Sequence, residues 1–135
     1  MKIKTADLIG PTLDWAVAKC EGKNGVLHDD GITRCIVIAS ASGVYKGTYQ
    51  PSINWSQGGP IFEREMINVK SNLARMREHP EYNWLSDCPE KRICVSFNGP
   101  TPLIAAMRCV VAVNLGDEVD VPEELLSRRL GATLW

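Results

Sequence analysis

The sequence predicts a compact α+β domain in which a small mixed or antiparallel sheet is covered by two main helices. Three observations carry that expectation. Leu13, Ala16, Val17 and Cys20 recur at helical spacing as one apolar stripe. A broader stripe, Leu103, Ile104, Met107, Val110, Val111 and Leu115, follows a well-formed helix start. The segment TRCIVIA at residues 33–39 is rich in β-branched residues and reads as the clearest strand. With 135 residues the chain is one domain's worth, so residues 1–135 are read as a single unit.

In chain order, residues 1–5 alternate enough for a short edge strand. The first helix begins at Pro11, whose missing N–H is no loss in a first turn, and Gly22 is its stop. Trp15 lies off its apolar stripe, so it either caps the edge of the core or lines a groove. The polar run KNGVLHDDG at 23–31 reads as a loop. After the strand at 33–39, residues 44–49 supply a second strand ending before Pro51. Gly58-Gly59-Pro60 interrupts the chain, and a further strand is expected near Ile61. Residues 67–79 carry a weak helical pattern, followed by turn chemistry around Pro80 and Pro89. RICVSF at 92–97 is a short strand closed by Asn98-Gly99-Pro100. Thr101 then serves as N-cap and Pro102 as first residue of the second helix, with Asn114 and Gly116 as stop signals. The acidic run DEVDVPEE leads to Pro122, the expected start of a short tail helix.

Composition narrows the function. Hydrophobic residues at 44% and charged residues at 23% are ordinary for a soluble globular protein and indicate neither wholesale disorder nor a membrane protein. Fifteen Lys and Arg against 16 Asp and Glu, a net charge of -1, disfavour general nucleic-acid binding, which would have to use Lys2, Lys4, Lys19 and Lys23. Five cysteines form no CxxC pair, and His28 and His79 are far from any such ligands, so neither a structural metal nor a cofactor is expected. GxSxG, Walker, GxGxxG and HExxH patterns are all missing. Glu63 and Glu65 alternate without a further polar partner, a weak acid-base signal. The expectation is a protein that is not an enzyme.

Four blocks, LDWAVAKCEG, WSQGGPIFERE, GPTPLIAAMR and LGDEVDVPEEL, together resemble the NinX-like family of small bacteriophage proteins. Their order, spacing and unusual wording carry the resemblance, which spans both ends and the middle of the chain. It implies a phage origin and a life in the cytoplasm of the infected bacterial host, and it transfers no catalytic residue.

The idiosyncratic residues concentrate in the same blocks. A glycine pair lets backbone approach a ligand closely, and exposed N–H groups beside it cradle anions. The ligand-binding set read from the sequence is Trp15 and Trp55 for stacking, Gln57 for a two-sided amide contact, and Gly58 and Gly59 as the cradle. Arg64 and Arg108 would meet an anion, and Thr101 opens a helix N-terminus. Beside each stands a structural reading: a turn at Gly58-Gly59-Pro60, a rim Trp55, a mere cap at Thr101, and Arg108 in a salt bridge to Glu63 or Glu65. The expected function is a non-enzymatic phage accessory protein of counter-defence that binds a small anionic, nucleotide-type ligand. The alternative is a protein-binding inhibitor or adaptor acting on a host or phage replication, recombination or defence enzyme. The partners expected are therefore that ligand, a host defence protein or a second copy of the chain as a homodimer, and not a membrane.

Overall fold

A computed structural model describes residues 1–40, 42, 45–72, 80–89 and 93–126. Within these residues three antiparallel sheets and three full α-helices pack around one core, an α+β arrangement with α3 (Pro102–Leu115) at its centre. The ten residues from Leu103 to Ala112 are all buried. The helix is thus buried on every face rather than along one stripe, with Arg108 its one charged residue, as befits a helix enclosed by other elements. The predicted cap is present: Thr101 Oγ1 accepts the Ile104 N–H at 3.1 Å, satisfying one of the orphan donors of the first turn.

The first sheet joins β1 (Lys2–Lys4) to β8 (Glu118–Asp120), with Ile3 opposite Val119. The acidic run therefore hides a strand: Val119 and Val121 are buried while Glu118 and Asp120 point outward. The second sheet orders β2 (Gly25–Asp29), β3 (Arg34–Ala39) and β4 (Tyr45–Tyr49), all antiparallel. Here the loop expected at 23–31 is corrected. Residues 25–29 pair with β3 from Gly25 opposite Ile38 to Asp29 opposite Arg34, and their polar composition is that of an edge strand.

The third sheet orders β5 (Asn68–Ser71), β6 (Trp84–Cys88) and β7 (Ile93–Gly99). Its last strand matches the expectation, but β5 replaces the start of the weak helix expected from 67. The rest of that helix, residues 73–79, lies outside the described residues. β6 escaped notice because WLSDC is broken by polar groups. Ser86 is nevertheless buried, its hydroxyl donating to Ala105 O at 2.5 Å across the sheet–helix interface. The tail helix expected from Pro122 is described only as far as residue 126.

α1 (Pro11–Cys20) forms as read, with Leu13, Ala16 and Val17 fully buried. It ends in a Schellman motif, in which Lys23 N–H bonds Ala18 O, Gly22 N–H bonds Lys19 O, and Gly22 takes a φ of 69°.

The largest correction concerns α2 (Trp55–Arg64), a helix where a turn and a strand near Ile61 were expected. Two glycines and an internal proline oppose helix formation by several kcal/mol together, about 1 for each glycine and about 3 for the proline. Tertiary contacts override this. Asn54 caps the helix by accepting from Ser56 N at 2.9 Å, and Ile61 is buried. Gly58 lies so close to its neighbours that a β-carbon there would overlap the Pro51 carbonyl and stand 2.8 Å from Leu103 Cδ1.

Candidate functional site

Making residues 55–64 helical separates side chains that a turn could have gathered. Gln57, Pro60, Ile61 and Arg64 are spaced i, i+3, i+4 and i+7 on one face, whereas Trp55 is about 200° from Gln57 around the helix. Trp55 instead meets Phe62 edge-on, with ring centroids 6.4 Å apart, and is 54% exposed.

The face with Gln57 and Arg64 borders a cleft of about 360 Å³ lined by Glu21, Lys23, Tyr49, Gln57, Pro60, Ile61 and Arg64. The end of α1 supplies Glu21, the Gly22 turn presents Lys23, and the last residue of β4 is Tyr49. Gln57 fixes the geometry by donating Nε2 to Thr48 O at 2.8 Å and accepting the Gln50 N–H at Oε1 at 2.6 Å. It therefore ties α2 to the end of β4. Arg64 grips Glu21 with both arms of its guanidinium, at 2.9 and 2.6 Å, and also reaches Glu65 at 3.4 Å. Hydrogen bonding to Glu21 raises the pKa of Arg64 further above its already high value.

Tyr49 is the unusual member. It is 6% exposed, and its hydroxyl is buried without a hydrogen-bond partner among the described residues. Burial, reinforced by the nearby carboxylates of Glu21 and Asp14, pushes its pKa well above the ordinary phenol value, so the group remains a neutral O–H donor. The ammonium of Lys23 stands 5.9 Å from the ring centroid. Asp14 is buried in α1, and its Oδ1 accepts the Ser52 N–H at 2.9 Å. Burial raises its pKa to about 6, with Ser52 partly opposing the shift. The Ser52 hydroxyl is also buried without a partner among the described residues.

The remaining sequence-chosen residues lie elsewhere. Trp15 is half-buried on α1 with the Lys19 ammonium 5.3 Å from its ring centroid. Gly58 is filled against Pro51 and Leu103, while a β-carbon added at Gly59 would meet only Trp55 Cε3, at 3.9 Å. Thr101 is occupied as a cap. Arg108 is buried and donates from Nε to Leu8 O at 2.8 Å and from a terminal nitrogen to Asn98 O at 2.6 Å, rather than to Glu63 or Glu65. Burial lowers its pKa, with Asp7 partly compensating. Of the eight residues, the cleft gathers Gln57 and Arg64.

Glu21, Lys23 and Tyr49 were missed as site residues. The signals present were two charges flanking a helix-ending glycine and a tyrosine at a strand end before proline. The free thiols of Cys20 and Cys109 are pushed up to about 12, chiefly by burial, and so stay protonated near neutral pH. Among the described residues no group of three or more His, Cys, Asp or Glu could hold a metal ion, and no helix is long and apolar enough to cross a membrane.

These features define a small α+β protein with an open polar cleft where two helices meet the end of a strand. The chain belongs to the family described as bacteriophage P22, NinX, whose family model matches residues 4–114. That span holds every residue lining the cleft and nearly all of α3. Comparison with curated proteins gave no match.

Proposed function

We propose that this phage protein acts by binding rather than catalysis, taking a small anionic, nucleotide-type ligand into the cleft between α1, β4 and α2. The observation that carries this reading is the open cleft itself, which is lined by Lys23, Gln57 and Arg64 together with the buried Tyr49. Of the two cations lining the cleft, Arg64 is paired with Glu21, and Lys23, which makes no ion pair among the described residues, is the charge that favours an anion. Burial keeps the thiols of Cys20 and Cys109 protonated, which disfavours these two as nucleophiles. Counter-defence suits such a protein, because sequestering a nucleotide-type signal in the cytoplasm of the infected cell requires only a site that holds it.

The test is native mass spectrometry of the protein purified from phage-infected bacteria, with small molecules identified in the denatured extract. An anionic compound carried by the wild type and by Trp55→Ala, but lost from Lys23→Glu, is the expected result. Retention in Lys23→Glu, or failure of added nucleotides to bind a protein that carries nothing, would overturn the reading.

A second reading, a protein-binding inhibitor or adaptor, is favoured by a different observation. Ile53, Trp55 and Met66 are 63%, 54% and 61% exposed along and beside α2, with Trp55 resting on Phe62. Aromatic anchors of this kind are typical of protein interfaces. Loss of a host partner from affinity-purified Trp55→Ala, with the small-molecule profile intact, would select it.

A further inference from the structure

We infer that the outer face of α2, formed by Trp55, Gly59 and Phe62, is a contact between two copies of this chain, with their α2 helices packed antiparallel across a twofold axis beside Gly59. This is independent of the cleft, because Gln57, Pro60 and Arg64 are turned about 100° or more away from Gly59 around the helix. Three of the seven large apolar side chains exposed among the described residues, Ile53, Trp55 and Met66, lie within or next to this one helix, so they form a concentration rather than a scatter. Gly59 supplies the second observation. Gly58 is required by the Pro51 carbonyl and Leu103, but a β-carbon at Gly59 would have only Trp55 Cε3 near it, at 3.9 Å, so no contact among the described residues explains a glycine there. A helix-weakening residue on an outward face leaves a notch of bare backbone beside the Trp55 ring, which lets a second helix approach closely.

The face complements itself in one direction. Around the helix, Trp55 and Phe62 lie to one side of Gly59, and Ser56 and Glu63 to the other. A twofold that crosses the helices at Gly59 and reverses their direction lays Trp55 of each copy over Phe62 of the other, extending the edge-on pair within one chain to four rings. The same operation sets Glu63, exposed and without an ion pair among the described residues, beside the first turn of the opposite α2. That turn has no acidic residue of its own, and the helix dipole favours a carboxylate there. Ile53 and Met66 straddle Gly59 almost equally in the chain, so they too approach each other across the axis. A parallel pairing would instead put the two Glu63 carboxylates at one level and leave both first turns without one. Ten residues of helix span about 15 Å, so the contact falls short of the roughly 800 Å² per partner of a standard interface and the dimer dissociates on dilution.

Sedimentation velocity of the whole protein between about 5 µM and about 1 mM tests the assignment. The wild type should pass from monomer to dimer within that range. Trp55→Ala should raise the dissociation constant about tenfold or more, and Glu63→Gln about two- to fivefold. Gly59→Leu fills the notch with a good helix former where the chain itself has room, so when dilute it should unfold at the same or a higher temperature, yet stay monomeric throughout. A wild type that is monomeric at the highest concentration overturns the inference, and loss of a host protein from Trp55→Ala would then give this face to the adaptor reading. A dimer as tight as the wild type in either Trp55→Ala or Gly59→Leu also overturns it, because the contact then lies elsewhere on the surface. Unchanged affinity in Glu63→Gln overturns the antiparallel arrangement. Each of these results leaves the cleft reading standing.

Discussion

Asp14 and Arg108 are both charged residues held inside the protein, and they behave oppositely. The Asp14 carboxyl has its pKa raised from 3.8 to about 6 by burial. The folded state therefore binds its proton more tightly than the unfolded chain does. The resulting stabilisation is fully present below about pH 4 and is lost as pH rises through about 6. Asp14→Asn keeps an oxygen for the Ser52 N–H and removes the ionisation. It should raise stability at pH 7 by about 2 kcal/mol and flatten the pH dependence between about 4 and 6, as urea unfolding across that range will show. Arg108, in contrast, satisfies two carbonyls of different segments, Leu8 and Asn98. Arg108→Ala should cost about 3 kcal/mol by the same measurement, because it leaves both carbonyls short of a donor and opens a hole beside α3.

Among the elements, α2 tests how far packing can dictate secondary structure. Its two adjacent glycines should respond with opposite signs. Gly59→Ala adds a methyl group with only Trp55 in van der Waals range, and the better helix propensity of alanine should stabilise the protein by about 0.5–1 kcal/mol. Gly58→Ala drives its methyl into the Pro51 carbonyl and Leu103, so it should destabilise by about 2 kcal/mol or more despite the same propensity gain. Thermal unfolding of the two variants side by side decides the matter, and equal shifts would mean that α2 does not press on Pro51. Just beyond the helix, Met66 takes a left-handed φ of 55° at the position where glycine is usual. Met66→Gly should therefore gain about 1 kcal/mol in the same assay, by relieving the β-carbon strain of that conformation.

At the scale of the whole molecule, α3 is the hub on which α1, α2 and the β5–β6–β7 sheet all pack. Its amides from Leu103 to Ala112 should exchange with solvent only on global unfolding, whereas those of the edge strand β2 should exchange through local opening, a contrast readable by hydrogen-exchange mass spectrometry. This hierarchy also explains which parts were legible beforehand. The helices α1 and α3 carry their own first-turn prolines and stop glycines, with a capping threonine on α3, and β3 carries a run of β-branched residues and β7 a short apolar stretch closed by Asn98-Gly99-Pro100, so neighbours in the chain suffice to identify them. Strands β2, β6 and β8 are polar or acidic on one face and gain their order from a partner strand elsewhere in the chain, which local pattern does not contain.

The candidate site divides in the same way. Gln57 and Arg64 stood out because their block is idiosyncratic, but Glu21, Lys23 and Tyr49 become site residues only when the end of α1, the end of β4 and one face of α2 meet. The sequence by itself determined the α+β class, the two principal helices with their termini, and the phage family. Only the tertiary structure decided that WSQGGPIFER is a helix, that Trp55 faces away from Gln57 and Arg64, and that a buried tyrosine stands in the wall of the cleft. The physical reason is that contacts with Pro51, Leu103 and the Gln57 clamp outweigh a local preference for a turn, and no window of neighbouring residues records those contacts.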